Sequence, residues 1–318
     1  MKKGSLLNPY AWLLLATYGL ALWGCGSKTL DNPRRGSIVV AADESFRPVV
    51  NALVFSYEGI YPDTHFAVLY RPEREAILAL LKDEVRLVFV TRELTTKEKE
   101  IIQSQQGTYK HQLIAYDGIA LLTSAQNTDS LLTTAELRRI LAGEIKYWEE
   151  LKGRKQKGAI TLVIDDPNSS NLQFLMEQLA VKDVTKTRIL TTDSSAAVIE
   201  YVRKDPTAIG LIGGNLLSDG EDELAHRYAK GIRVMGISSK EKPDGIGDYH
   251  QPFQLGIGTR QYPLRRPLYI VSREGYSGLG GGMMTYIARD VGGLVIQKTG
   301  LIPAIPFPRE VELKTKSF

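Results

Sequence analysis

A single cysteine in 318 residues, Cys25, leaves no partner for a disulfide within the chain and no thiolate cluster for a metal. Histidine is nearly as scarce: His65, His111, His226 and His250 are scattered, with no H-E-x-x-H motif and no i, i+4 pair. No G-x-S-x-G elbow occurs, because GYSGLG (275–280) has the wrong spacing, and neither a P-loop nor G-x-G-x-x-G is present. The glycine run at 278–282 reads instead as the end of a loop ahead of MMTYIARDVGGLVIQ. Nothing here supports an enzyme or calls for a cofactor. Excess charge is also missing: 40 Lys and Arg against 36 Asp and Glu leave +4. That argues against a nucleic-acid-binding stripe, which needs clustered charge. Internal repeats and low-complexity segments are absent too.

What is present begins at the N-terminus. Lys2 and Lys3 precede the apolar run Ala11–Gly24, 14 residues long, and Cys25 falls where it stops. A basic start followed by such a run reads as a secretory signal. The run is shorter than the roughly 18–20 residues of a spanning helix. Leu22-Trp23-Gly24-Cys25 resembles the bacterial lipobox, in which the cysteine is lipid-modified and becomes the new N-terminus. The alternative is an ordinary signal peptide with an incidental cysteine. Residues 1–24 are thus expected to be a signal peptide and 25–36 a lipidated tether. Removing Lys2 and Lys3 with the leader lowers the formal charge from +4 to +2. The remaining length, about 280 residues, exceeds one typical core and suggests two lobes.

Beyond the tether, short apolar runs alternate with amphipathic stretches. SIVVAAD, HFAVLYR, VRLVFVTREL, HQLIAYDGIALLTS, AITLVIDD and AIGLIGG read as strands. RPVVNALVFSYEGIYP, EREAILALLKDE, TTAELRRILAGE and AAVIEYVRKDP read as helices, with Thr133–Thr134 capping the third and Glu136 in its first turn. This alternation predicts an α/β chain whose mostly parallel sheets are covered by helices on both faces. Ligands of such sheets bind beyond the carboxyl ends of the strands. Three strand-to-helix turns carry hydroxyls beside charges: Ala41–Phe46, Val90–Thr95 and Asp165–Asn171. In the last, Asn168, Ser169, Ser170 and Asn171 stand at a helix start. There they serve either as caps or as donors to an anion.

Several blocks then follow in order. They are Ala115-Tyr116-Asp117-Gly118-Ile119-Ala120, Leu137 to Gly143 with Trp148, Val198 to Val202 with Pro206 to Gly210, Tyr262 to Tyr269, and Gly300-Leu301-Ile302-Pro303. Together they resemble the phosphate-binding substrate-binding proteins of bacterial ABC transporters, in a divergent lipoprotein branch, over roughly Ile38 to Pro306. The resemblance implies a two-lobed type II periplasmic-binding-protein fold with two crossing segments and a ligand between the lobes. It places lobe 1 at 37–113 plus 260–310, lobe 2 at 114–259, and a C-terminal tail at 311–318.

By the same resemblance, Ser45 and the Phe46 backbone N–H are ligand contacts at the first helix start. The second contact loop has Tyr70-Arg71-Pro72-Glu73-Arg74 in place of a serine among glycines. Thr91, beside Arg92, stands where the family has a buried aspartate. In the loop matching R..SGT, Ser169 keeps the serine, Ser170 replaces glycine, Asn171 replaces threonine and Asp165 stands at the arginine. Arg71, Arg74 or Arg92 would then supply the positive charge, and Asp165 would accept a hydrogen bond from a protonated oxyanion. A charge-assisted contact contributes on the order of 1.5–3 kcal/mol, so an unreplaced arginine costs roughly tenfold to a hundredfold in affinity. The alternative is that Arg92 and Glu93 are solvated loop residues and that Arg71 and Arg74 pair with Glu73 and Glu75. The implied function is a monomeric envelope lipoprotein, lipid-anchored to a bacterial membrane with its folded part in the periplasm or outside the cell. It would bind inorganic phosphate or a related oxyanion and deliver it to an ABC permease. The competing expectation keeps the fold and makes the chain a sensor, a scaffold or a binder of another ligand.

Overall fold

The computed structural model describes residues 31–218 and 223–306. The leader, Cys25 and the tail 311–318 lie outside them. Lobe 1 begins with β1 (Gly36–Ala42), α1 (Arg47–Ile60), β2 (Thr64–Tyr70), α2 (Glu73–Leu81), β3 (Leu87–Val90) and α3 (Thr96–Ser104). The long strand β4 (Lys110–Ser124) leads into lobe 2. There follow β5 (Leu131–Thr133), α4 (Thr134–Leu141), β6 (Thr161–Ile164), α5 (Ser170–Gln178), β7 (Ile189–Thr191), α6 (Ser195–Lys204) and β8 (Ala208–Gly213). The lobe continues with α7 (Asn215–Ser218), α8 (Glu223–Ala229), β9 (Ile232–Val234), β10 (Gly236–Ser238) and α9 (Gln254–Gly258). Strand β11 (Arg265–Ser272) returns to lobe 1, which closes with α10 (Leu279–Ile287), α11 (Asp290–Lys298) and β12 (Ile302–Pro303).

The strands run in the order β2-β1-β3-β11-β4-β8-β6-β7. Strand β1 pairs in parallel with β2 and β3, and β6 with β7 and β8. The crossing strands are antiparallel: β11 runs against β3 and β4, and β4 runs against β8. Strand β4 therefore belongs to both lobes, its first half pairing with β11 and its second with β8. Every residue of β3, β6 and β8 is buried, as expected of parallel strands covered on both faces. The buried apolar clusters divide the same way. Two draw on 38–115 and 268–301, and two on 119–264. Among the described residues no helix is long and apolar enough to cross a membrane.

Local signals behave unevenly. Thr133 caps α4 in a capping box with Glu136, as expected. The glycine run is a correction: it does not end a loop but forms the first turn of α10. The Glu274 carboxylate accepts from the N–H groups of Gly280 and Gly281, both at 2.9 Å, and so satisfies two of the helix's free donors. Gly282 is held close to α1, where a Cβ would collide with the Tyr57 hydroxyl and Pro33.

Trp148 anchors lobe 2. It is fully buried, and its indole N–H donates to the Thr207 carbonyl at 2.9 Å. Trp148→Ala is expected to lower stability by about 3–5 kcal/mol, measured by urea unfolding.

Candidate functional site

The turns after β1, β2 and β6 meet between the lobes around a cavity of about 380 Å3, whose lining includes Asp43, Arg71, Asp165, Ser169 and Ser170. At its wall Asp43 is only 3% exposed. Asp43 Oδ1 accepts from the Ser45 N–H at 3.0 Å, from the Ser45 hydroxyl, and from the Ser170 hydroxyl at 2.9 Å. Its Oδ2 accepts from the Glu73 N–H at 3.0 Å, at the start of α2. The bond from Ser170 crosses from lobe 2 to lobe 1.

Ser169 occupies the cap position of α5, yet no side-chain hydrogen bond caps that helix. Its hydroxyl donates to Asp165 Oδ1 at 2.7 Å, while Asp165 Oδ2 accepts from the Ser195 hydroxyl at 3.1 Å. The capping reading of Ser169 and Ser170 is thereby corrected. Both hydroxyls go to aspartates, because two buried carboxylates compete for them more strongly than the helix end does.

Behind these turns lies a buried ion pair. The Arg266 side chain on β11 is fully buried, and Asp117 on β4 is 2% exposed. Arg266 Nη2 and Nε donate to Asp117 Oδ2 at 2.8 and 3.2 Å. The remaining guanidinium contacts reach both lobes: Nη2 donates to the Ser45 hydroxyl oxygen at 3.0 Å and Nη1 to Asn171 Oδ1 at 2.7 Å. The guanidinium also sits 4.4 Å from the centre of the Phe46 ring, a cation–π contact. Asn215 completes the seam. Its side-chain amide donates to the Ser45 carbonyl at 2.8 Å and to Asp117 Oδ2 at 3.1 Å. Asn171 Nδ2 and Asn215 Oδ1 are buried and make no protein hydrogen bond.

Ser45, Phe46, Asp165, Ser169, Ser170 and Asn171 are thus gathered in one place, with Arg71 on the cavity wall. The Phe46 N–H points to the Asp43 carbonyl at 3.0 Å. Arg92 turns to Glu98, with two contacts of 2.9 Å, and lies 3.8 Å from Glu73. At Thr91 the backbone N–H donates to the Glu73 carboxylate. Sequence reasoning offered Glu73 only as an ion-pair partner of the nearby Arg71 and Arg74, and gave no role to Asp43, Ser195 or Asn215, nor to Asp117 and Arg266. The last two had a usable signal, since a charge within a buried strand demands a partner.

Burial raises the pKa of Glu73, with Asp43 adding to the shift and the Thr91 hydrogen bonds opposing it. Burial likewise raises Asp165 against the pull of the Ser169 and Ser195 hydroxyls. Arg92 is held more firmly protonated, chiefly by its hydrogen bond to Glu98. Among the described residues no group of His, Cys, Asp and Glu is placed to hold a metal ion.

The chain belongs to the PBP superfamily: the family model described as a PBP superfamily domain matches residues 27–291. Among curated relatives, the phosphate-binding protein PstS of Bacillus subtilis (strain 168) is 24% identical over 315 residues, covering 95% of each chain. PstS of Borreliella burgdorferi is 24% identical over 263 residues, covering 80% of this chain and 84% of that one. Among solved structures, an ABC-type phosphate transport receptor from Vibrio cholerae has a TM-score of 0.62 at 19% identity, covering 83% of this chain and 99% of that one. A Clostridium perfringens structure with bound phosphate, assigned as a phosphate ABC transporter substrate-binding protein, has a TM-score of 0.68 at 20% identity, covering 85% and 100%. These structures share the two-lobed α/β fold.

Two outcomes are expected. Arg266→Met or Asp117→Leu alone strands a buried charge and lowers stability by about 3–5 kcal/mol, whereas the double substitution loses less than either; urea unfolding of the three variants checks this. Glu73 and Asp165 bind protons more readily folded than unfolded. Their contribution to stability therefore falls as pH rises from their ordinary values, 4.5 and 3.8, through the raised ones. The pair Glu73→Gln and Asp165→Asn is expected to flatten that decline, read as the urea midpoint against pH.

Proposed function

We propose that this chain is an envelope lipoprotein, tethered through Cys25 to a bacterial membrane, that binds phosphate or a similar oxyanion between its lobes and delivers it to an ABC permease. The lobes are taken as 37–113 with 260–310, and 114–259. The observation that carries the reading is the convergence of Ser45 from one lobe and Asn171 from the other on the buried guanidinium of Arg266. A ligand that engages groups of both lobes stabilises their closure. Phosphate itself is carried over from the names of the relatives. The ligand contacts proposed are Ser45, Ser169, Ser170 and Asn171, with Arg266 behind them as the positive charge that Asp165 does not supply. Arg71 guides the anion at the cavity wall.

Asp165, on the cavity wall, sets the proton content that suits the cleft: in its ionised form it accepts a hydrogen bond from an oxyanion that keeps a proton and repels one that is fully deprotonated. That favours phosphate over sulfate. The transporting role is binding and release rather than catalysis. A second reading, a non-transport lipoprotein that senses, scaffolds or holds another ligand, is favoured by the hydrogen bonds that Asp43 and Asp165 already take from the serines.

Calorimetric titration of the processed chain tests both. Micromolar or tighter phosphate binding without heat from sulfate supports transport, and Ser169→Ala with Ser170→Ala then weakens it by about tenfold or more. No heat from folded protein excludes phosphate and favours the second reading.

A further inference from the structure

We propose that Asp43 determines the specificity of the cleft: its carboxylate is a built-in anion that engages the donors an external oxyanion needs and joins one lobe to the other. The proposal rests on the reading that the cleft takes an oxyanion.

The donors around Asp43 are those an oxyanion seeks. Two are backbone N–H groups at helix starts: Ser45, in the turn that leads into α1, and Glu73, the first residue of α2. The Ser170 hydroxyl comes from the first residue of α5. Such helix ends present free N–H groups and a positive dipole end, which favour a negative group. The Ser45 hydroxyl adds a relay. Its oxygen accepts from Arg266 Nη2 while its proton goes to Asp43 Oδ1. The positive charge of Arg266 thus polarises the donor that Asp43 holds.

Asp43 therefore fills the two-oxygen edge of an anion with four hydrogen bonds from three segments of chain. Each hydroxyl has one proton, so Ser45 and Ser170 cannot donate to Asp43 and to a bound oxyanion together. An entering ligand has to displace the carboxylate, and the cavity of about 380 Å3 that Asp43 lines gives the ligand its approach. The contact is also mechanical. Ser170 lies 127 residues away in lobe 2, and Asn215, another lobe 2 residue, holds the Ser45 carbonyl beside it. Asp43 accordingly stabilises closure in the way a ligand does and raises the affinity a ligand must have to replace it.

The test is a phosphate titration of the parent chain, Asp43→Asn and Asp43→Ala, with thermal unfolding to establish that each is folded. Asp43→Ala is expected to bind phosphate at least tenfold more tightly than the parent. Asp43→Asn keeps an acceptor oxygen but no charge, and falls between. Adding Ser170→Ala to Asp43→Ala removes the gain. If Asp43→Ala does not fold, a several-fold gain in Asp43→Asn decides the matter by the same criterion. A gain in the variants from a parent that does not bind phosphate supports the role of Asp43 and contradicts phosphate as the parent's ligand. A parent that binds phosphate more tightly than its variants overturns the role of Asp43 and leaves the transport reading intact. Absence of binding in all of them overturns both.

Discussion

Arg266 and Asp117 bring two opposite charges out of water at the point where both crossing strands and both lobes meet. Each buried ion carries a desolvation cost of several kcal/mol, offset only by good geometry and further hydrogen bonds. The pair meets that condition by recruiting Ser45, Asn171 and Asn215. The first belongs to a lobe 1 turn and the other two to lobe 2 helices. The polar seam between the lobes is thus organised from the hinge outward. The turn after β1 is held from behind by the guanidinium and from in front by its own aspartate. Any relative movement of the lobes has to change bonds made to these groups.

The chemistry of the cleft departs from a simple anion hole. Hydroxyls and helix-start N–H groups are there, but Asp43 and Asp165 already bind them, and Glu73 takes the Thr91 N–H. Burial raises the pKa of Glu73 and Asp165, and a carboxyl that carries its proton donates as well as accepts. Arg92, one of three arginines offered as the source of positive charge, pairs with Glu98 and lies near Glu73, whereas Arg71 lines the cavity and Arg266 is buried behind it.

Much of the fold was legible because its signals are local. Strands β3 and β8 carry no polar side chain and β6 only Thr161, as burial on both faces requires; the Thr133–Glu136 box marks its helix within four residues. The helix at Leu279–Ile287 was not, since glycines argue for a loop and the stabilising carboxylate of Glu274 acts only once the chain has turned back. The site was legible in part: Ser45, Ser169, Ser170 and Asn171 converge from two of the three turns singled out, but the cavity takes its third wall from the turn after β2, and Thr91 and Arg92 after β3 do not line it. What the serine hydroxyls touch was hidden, because the partner of Ser170 lies in the other lobe. Arg266 escaped notice for a related reason. Arginines in loops were weighed as the available charges, while one inside a strand was passed over as part of a pattern.

Whether the donors now serving Asp43 are the ones an external oxyanion uses is tested most directly by a crystal structure of the chain grown with phosphate. Phosphate is expected between Ser45 and Ser170, within hydrogen-bond reach of Asn171 and the Glu73 N–H, with the Asp43 carboxylate turned away from both serines. Phosphate ordered elsewhere, while Asp43 keeps its bonds to Ser45 and Ser170, would contradict that expectation.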